Sequence, residues 1–344
     1  TILDPQNYVF LGKPNNGDIT LTLSAGNDYL IGNPYASAID ANEFINDNIS
    51  VADGGRAASN IIDGTLYFWE HFASSTHVLK EYQGGYGTYT KEGGVKAISN
   101  DSRINANGAV GTKTPQRYIP VSQGFFVTAD AGGTVSFKNS QRIFKTEAND
   151  ASVFMKPSNV KKTAHTDSEN DAREKIRLLF DSPYGYHRQI LVGVDSLASD
   201  DFDLGYDALL IENNKEDMFW VANDDHLVIQ AVNNFANDQR LPLGVKIYQQ
   251  GLATIKIDTL ENIPDNLDIY VHDKQLDIIH DLKQSNYEVY LMPGLITDRF
   301  EILFDNKTGT SLGTEDNEQV SLNVFYSNEE SSLILHNPNL KYIN

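Results

Sequence analysis

The stretch that sets the character of this chain is Leu30–Phe44, LIGNPYASAIDANEF. Leu30 and Ile31 have the apolar character of the end of a buried strand, and Gly32 relaxes the backbone after it. Pro34 has a fixed φ and keeps Asn33 out of the α region, so a turn follows the strand. Apolar residues after the turn are spaced for one helical face, which predicts a short helix near residues 37–46 with Ser37 or Asp40 as its cap.

Working outward from this corner, short β-patterned runs alternate with Gly- and Asn-containing turns along residues 1–156. Asn-Gly in the run KPNNGD, residues 13–18, predicts a hairpin because that dipeptide favours tight turns between strands. Ten more strand-like runs occupy residues 173–305, at 175–180, 189–194, 208–211, 219–221, 227–232, 244–248, 253–257, 267–271, 287–291 and 299–304. This spacing predicts an all-β protein with two antiparallel, jelly-roll-like β-sandwich domains in tandem and few short helices.

Polar, low-periodicity segments mark the predicted boundaries of these domains. We place linkers at residues 157–172 and 306–319, where Asn, Asp, Ser, Thr and Gly dominate. Val320–Phe325 and Ser332–His336 then have the pattern of two strands, which predicts that residues 320–344 begin a third small β-sandwich module.

Composition narrows the possible partners. The 344 residues carry a formal net charge of −20, and residues 166–305 hold 27 acidic against 11 basic side chains. Nucleic acid is therefore not an expected partner, because phosphate backbones are bound by clustered Lys and Arg. No apolar run approaches the roughly 20 residues that cross a bilayer, so membrane insertion is not expected either. The chain has no cysteine, which excludes disulfides and thiolate metal sites.

Several segments together resemble the C-terminal region of large secreted proteins of the Bacteroidota. They are YVFLGKPNNGDI at Tyr8–Ile19, Leu30–Phe44, GTLYFWE at Gly64–Glu70, YIPVSQGFFV at Tyr118–Val127, GYHRQILVGV at Gly185–Val194, LGYDA at Leu204–Ala208 and DRFEILF at Asp298–Phe304. Such regions consist of non-catalytic β-sandwich modules ahead of a sorting domain for type IX secretion. Residues 320–344 are similar to the start of that sorting domain, except that Tyr326-Ser327-Asn328 replaces its usual Pro-Asn-Pro.

The resemblance implies a protein that is secreted or held at the outer cell surface, with the type IX secretion machinery as a partner of the C-terminal region. It implies a role as spacer, adhesion or glycan-binding unit and identifies no ligand. Nucleophile elbows, P-loops and dinucleotide fingerprints are absent from the sequence. A hydrolase acting on carbohydrate through two carboxylates is the competing hypothesis, because the 47 acidic residues offer many pairs.

Aromatic residues are the best candidates for contact with a polysaccharide or surface glycan, since their rings stack on the apolar faces of sugars. Core packing is the alternative for any of them, because at least one face of the strand around residue 68 must be buried. Tyr184, Tyr186, Tyr206 and Trp220 form a looser second set with the same ambiguity. The candidates for glycan contact are Tyr67, Trp69, Tyr82, Tyr86 and Tyr89.

Five carboxylates fall within thirteen residues of the run DSLASDDFDLGYD, at a predicted loop. Ca²⁺ prefers six to eight hard oxygen ligands, so such a loop is a candidate calcium site. The EF-hand pattern is not met, and a solvated acidic turn is the alternative. The candidate ligands are Asp195, Asp200, Asp201, Asp203 and Asp207.

Overall fold

The computed structural model describes residues 9, 11–71, 84–99, 110–111, 113–145, 152–155 and 171–305, and the backbone of 323–327 and 332–336. We call the described residues up to 155 the first module and residues 171–305 the second. The predicted all-β class is confirmed, with 23 strands and a single α-helix in these ranges. That helix has eight residues, and the described part of the chain holds no helix long and apolar enough to span a bilayer.

The first module is built from three sheets around one apolar core. The sheets run β1-β9, β10-β3-β7 and β2-β8-β4-β5-β6, and all their pairings are antiparallel. Phe44 lies at the centre of the core, 4.9 Å from the ring of Phe137 and 5.6 Å from that of Phe125. The strands are β1 Ile19–Leu23, β2 Asp28–Gly32, β3 Ala38–Asp40, β4 Leu66–His71, β5 Gly84–Thr90, β6 Gly93–Val95, β7 Tyr118–Ile119, β8 Gly124–Thr128, β9 Gly133–Phe137 and β10 Arg142–Ile143.

The corner LIGNPYASAIDANEF folds as strand, turn, short strand and helix. Strand β2 ends at Gly32 as predicted, but helix α1 is Ala41–Asn48, so it begins later than the predicted residue 37. Its N-cap is Asp40, whose Oδ1 accepts the N–H of Asn42 at 3.0 Å. The shift arises because residues 38–40 are taken up by β3, which pairs with both β7 and β10.

The hairpin predicted around residues 13–18 is wrong. Strand β1 pairs with the distant strand β9, and residues 11–18 form no strand. The segment instead contacts the turn after β2, where the Gly17 carbonyl accepts the Tyr35 hydroxyl at 2.8 Å and Asn15 Nδ2 donates to the Pro34 carbonyl at 2.9 Å. Long-range pairing of β1 with β9 thus replaces the predicted local hairpin.

The second module is one continuous sheet of eleven strands. Its order is β19-β18-β21-β16-β14-β15-β12-β11-β17-β20, with β13 attached to β15. All pairs are antiparallel except β12–β15, which is parallel. The strands are β11 Lys175–Asp181, β12 His187–Val194, β13 Ala208–Leu209, β14 Asp217–Ala222, β15 Asp225–Val232, β16 Arg240–Ile247, β17 Gly251–Glu261, β18 Tyr270–Asp273, β19 Ile278–Asp281, β20 Tyr287–Leu291 and β21 Gly294–Leu303.

This long sheet curls around a single core, so that strands from its two ends meet. The hydroxyl of Tyr287 on β20 donates to Asp273 Oδ2 on β18 at 2.8 Å, although the two strands lie far apart in sheet order. Trp220 is fully buried in this core, and its Nε1 donates to the Leu191 carbonyl at 2.8 Å. The indole hydrogen bond leaves no polar atom of that ring unpaired inside the core.

The two modules share a buried contact. Val95 of β6 packs in one apolar cluster with Leu191 of β12 and with residues of β13 and β15. Hydrogen bonds run alongside it, from Thr90 Oγ1 to the Tyr206 carbonyl at 2.7 Å and from the Lys91 N–H to the Gly205 carbonyl at 2.9 Å. The modules are therefore docked against each other through side chains and backbone.

The C-terminal segments are described only in part. Strands β22 Asn323–Ser327 and β23 Ser332–His336 pair antiparallel, close to the two strands predicted there. The predicted linker at 306–319 lies outside the described residues, as do residues 157–170 of the first linker.

Candidate functional site

The outer face of the sheet β2-β8-β4-β5-β6 carries an aromatic surface that we call the platform: Trp69, Tyr86 and Phe126. Trp69 and Tyr86 are cross-strand partners on β4 and β5, with ring centroids 5.0 Å apart and planes at 66°. Tyr86 meets Phe126 of β8 edge-on, with centroids 5.8 Å apart. Trp69 is 40% exposed, and Leu30, the register partner of Phe126, is 65% exposed. The platform therefore presents apolar surface to solvent.

Close backbone approach fixes the indole ring of Trp69 on this face. A Cβ atom on Gly84 would lie 2.5 Å from Trp69 Cζ2, so only glycine leaves room for the ring. The N–H of Tyr86 donates to Glu212 Oε1 of the second module at 3.1 Å. Burial, and then the Glu212 charge, raises the pKa of Tyr86, so its hydroxyl stays protonated at neutral pH.

The five predicted glycan-contact residues do not share one surface. Trp69 and Tyr86 are accessible, whereas Tyr67 lies on the same face at only 2% exposure. Tyr89 is on the opposite face, equally buried, where its hydroxyl donates to Asn42 Oδ1 at 2.9 Å. Because the buried Tyr67 and Tyr89 are core residues, their prediction as direct glycan contacts is corrected; Tyr82 lies outside the described residues.

The four residues of the second aromatic set also do not share one surface. Trp220 is in the core, and Tyr206 is buried with the ammonium of Lys91 3.6 Å from its ring centroid. Tyr184 is 40% exposed at the β11–β12 turn and stacks on Tyr186 with centroids 6.2 Å apart. Only this last pair reaches the surface.

The five aspartates predicted as calcium ligands bond to separate partners around the loop. Asp207 is fully buried, and its Oδ1 accepts the Ala231 N–H at 2.6 Å while its Oδ2 accepts the Asp203 N–H at 2.8 Å. Asp203 Oδ2 in turn accepts the Ser199 N–H at 2.5 Å. These bonds hold the loop in place.

The remaining three carboxylates contact residues outside the loop, each in a different part of the second module. Asp195 contacts Arg173, Asp200 accepts from Gln239 and Asp201 accepts from Asn223. In the described ranges, no group of three or more His, Asp or Glu is arranged to hold a metal ion. The geometry gives the calcium prediction no support.

A buried charge network lies where the modules meet. Glu92 is fully buried, its Oε1 accepts from Arg173 Nη1 at 2.6 Å, and its Oε2 has no partner. Burial raises the pKa of Glu92 to about 7, and burial lowers the pKa of neighbouring Lys91 to about 8. These groups are enclosed by protein on both sides, so a polymer in solution does not reach them.

Sequence reasoning did not single out several residues that shape the exposed surfaces. Phe126 reaches the platform because antiparallel register places β8 beside β4, and Leu30 follows because it is the β2 partner of Phe126; neither pairing is readable from one strand alone. Tyr248 and Lys215 join Tyr184 at one end of the second module, with Tyr248 only 5.4 Å from Tyr184. Each belongs to a different loop, so sequence spacing gave no signal for this cluster.

No curated protein and no solved structure matches the chain. A family model described as a domain of unknown function matches residues 3–304, which includes both modules. The chain belongs to that family, DUF8693.

Proposed function

We propose that this chain is a non-catalytic part of an exported protein that binds neutral polysaccharide through the platform on its first module. The observation that carries the proposal is the edge-to-face arrangement of exposed Trp69 with half-buried Tyr86 and Phe126 on one sheet face. Aromatic rings cover the apolar C–H faces of sugar rings, and a flat face can engage several sugars along a chain.

Electrostatics favours a neutral polymer at this site. The chain has net charge −20, and the carboxylate of Glu212 accepts the Tyr86 N–H beside the platform. A polyanion would be repelled by a chain of this net charge, whereas a neutral polymer is not. Glu212 also accepts from Arg188 Nη2 at 2.9 Å, so both of its carboxylate oxygens are paired within the protein.

Export by the type IX route and a location at the cell surface or outside the cell belong to the same proposal. They are supported by the resemblance of residues 320–344 to the start of a sorting domain and by the pairing of β22 with β23. Spacer and adhesion roles are compatible with two modules docked in tandem. The platform adds a specific ligand class to these roles.

Hydrolysis is the less favoured function. A glycosidase needs two carboxyl groups, roughly 5–10 Å apart, that face the bound sugar. The acidic groups whose pKa is most raised, Asp63, Glu92 and Asp207, owe the shift chiefly to burial, and Glu92 and Asp207 have no exposed surface. Their burial supports a structural role.

Affinity electrophoresis in gels containing soluble neutral β-glucans, xylans or mannans tests the proposal. We expect at least one polymer to retard the chain, and Trp69→Ala to remove at least about nine-tenths of the retardation, since the ring supplies most of the exposed contact. Phe144→Ala is the matched control, because Phe144 is an aromatic residue 89% exposed on the same module and away from the platform strands. Absence of retardation by every polymer, or equal loss in both variants, rejects the platform as a polysaccharide site.

A further inference from the structure

A second exposed aromatic cluster lies at one end of the second module, far along the chain from the platform. Tyr184 belongs to the β11–β12 turn and Tyr248 to the β16–β17 turn, with exposures of 40% and 55%. Their rings meet edge-on with centroids 5.4 Å apart, while Tyr186 stacks on Tyr184 at an interplanar angle of 23°. We call these three residues the tyrosine cluster.

A buried carboxylate holds the tyrosine cluster in place. Glu216 is fully buried, and its Oε2 accepts the N–H of Tyr184 at 2.7 Å. Its Oε1 accepts the N–H groups of Tyr248 and Gln249 at 3.0 and 2.9 Å. One side chain thus ties two separate turns together, and burying a charge is favourable only when it is hydrogen-bonded in this way. The exposed rings are therefore preorganised.

Lys215 places a positive charge on the same surface. Its Nζ lies 4.8 Å from the ring centroid of Tyr184 and 4.7 Å from that of Tyr248, and 3.5 Å from the Tyr184 hydroxyl. The hydrogen bond to Tyr184 raises the pKa of Lys215, so the ammonium stays charged at neutral pH. Lys246 adds a second ammonium nearby, where it donates to Asn213 Oδ1 at 2.7 Å.

The neighbouring carboxylates are already occupied. Glu216 accepts three backbone N–H groups, while Asp217 and Glu212 both accept from the buried guanidinium of Arg188. Within the part of the chain that the structure describes, neither Lys215 nor Lys246 has a salt-bridge partner. On a chain of net charge −20, this end of the module keeps two ammonium groups available for an external anion.

We infer that the tyrosine cluster and Lys215 form a binding site for a saccharide that carries a single anionic group, such as a carboxylate or a sulfate. The rings would lie against the apolar face of the sugar, and the ammonium would pair with its anion. The ligand is expected to carry only one anionic group, because residues 166–305 are strongly acidic and would repel an extended polyanion or an acidic peptide. This site is separate from the platform and goes beyond the neutral polysaccharide proposed there.

Calorimetric titration at low ionic strength tests the inference with four probes. Three are trisaccharides that differ only in the terminal sugar: glucuronic acid, sulfated glucose and plain glucose. The fourth is a short Glu-rich peptide. We expect an anionic trisaccharide to bind at least about tenfold more tightly than the neutral one, and the two anionic probes to show whether carboxylate or sulfate is preferred.

Lys215→Gln should remove that tenfold preference, and Tyr248→Ala should abolish binding of the anionic trisaccharide. Lys215 is exposed and Gln keeps most of its chain, so this variant tests the site without unfolding the module. Lys283→Gln, at a lysine that donates to backbone carbonyls near β19, is the matched control and should bind as the native chain does.

Equal binding of neutral and anionic trisaccharides, preference for the peptide, or no binding at all overturns the inference. Trp69→Ala should leave binding at the tyrosine cluster unchanged. Loss of platform binding and loss of this site are therefore distinguishable outcomes.

Discussion

Replacing Glu92 with Gln should make the protein more stable at alkaline pH. Glu92 lies at the contact between the modules with no exposed surface, and its Oε2 has no partner. Burial raises its pKa from 4.5 to about 7, although Arg173 and Lys175 lie near enough to oppose the shift. The folded state therefore favours the protonated acid, whose neutral isostere is glutamine.

The sign and size of the effect follow from the two pKa values. Glu92 contributes full stability below about pH 4.5, and this contribution is lost as the pH rises towards 7, because the unfolded chain releases the proton first. A gap of about 2.5 pH units corresponds to about 3 kcal/mol at pH 8. Glutamine carries no charge at any pH, so Glu92→Gln should gain about 3 kcal/mol at pH 8 and less than about 1 kcal/mol at pH 5.

Urea unfolding at pH 5 and pH 8, followed by the fluorescence of buried Trp220, measures this difference. Asp171→Asn is a control of opposite sign in the same network. Burial alone would raise the pKa of Asp171, but hydrogen bonds and ion pairs to Arg173 and Lys175 outweigh burial and lower it. Its charge stabilises the fold above about pH 4, so Asp171→Asn should destabilise at both pH values. The reasoning is refuted if Glu92→Gln does not raise the free energy of unfolding at pH 8, or if it raises that free energy equally at pH 5 and pH 8.

Three further predictions concern docking, the core and the acidic loop. Gly64 has φ +80°, and the methyl group of Gly64→Ala would lie 2.4 Å from the Cα of Gly205 in the other module. Gly17 has a similar φ of +84° but open space around it, so Gly17→Ala is the control. Gly64→Ala should lower the free energy of unfolding in urea by at least about 2 kcal/mol more than Gly17→Ala. Equal costs would remove the claim of tight docking. Trp220→Phe should cost about 1–3 kcal/mol in the same assay, because the Leu191 carbonyl loses its donor and a cavity remains; an unchanged midpoint would contradict this. The five loop aspartates bond to separate partners, so we expect no calcium site there. The melting temperature in calcium minus that in EDTA should therefore be the same for the native chain and for a variant with Asn at all five positions. A smaller difference in the variant would restore the loop as a calcium site.

Much of the strand content was predictable because alternation and β-branched runs are local signals. Every predicted run of the second module corresponds to a strand, and β20 has the predicted bounds Tyr287–Leu291. Strand β19, Ile278–Asp281, was missed: all four of its residues are half-buried, so its short run has no alternation to detect. Which strands pair was not readable, because the β12–β15 parallel pair and the β1–β9 pair join residues that lie far apart in the sequence.

The candidate site was predictable only in part, for a geometric reason. Aromatic density pointed to Trp69 and Tyr86, yet strand parity separates Tyr86 from Tyr89, three positions later and on the opposite face. Register then adds Phe126 from another strand. The tyrosine cluster depends on two turns brought together by the curled sheet, so no local pattern could have identified it.

The central claim is that the platform binds neutral polysaccharide, and acrylamide quenching of tryptophan fluorescence tests it most directly. The chain has two tryptophans, and only Trp69 is accessible to the quencher while Trp220 is fully buried. Titration with a polymer that retards the chain should shift the Trp69 emission to shorter wavelength and reduce its quenching, with no change at Trp220. Binding that leaves Trp69 as accessible to acrylamide as in the free protein, or no binding by any neutral polymer, would contradict the account.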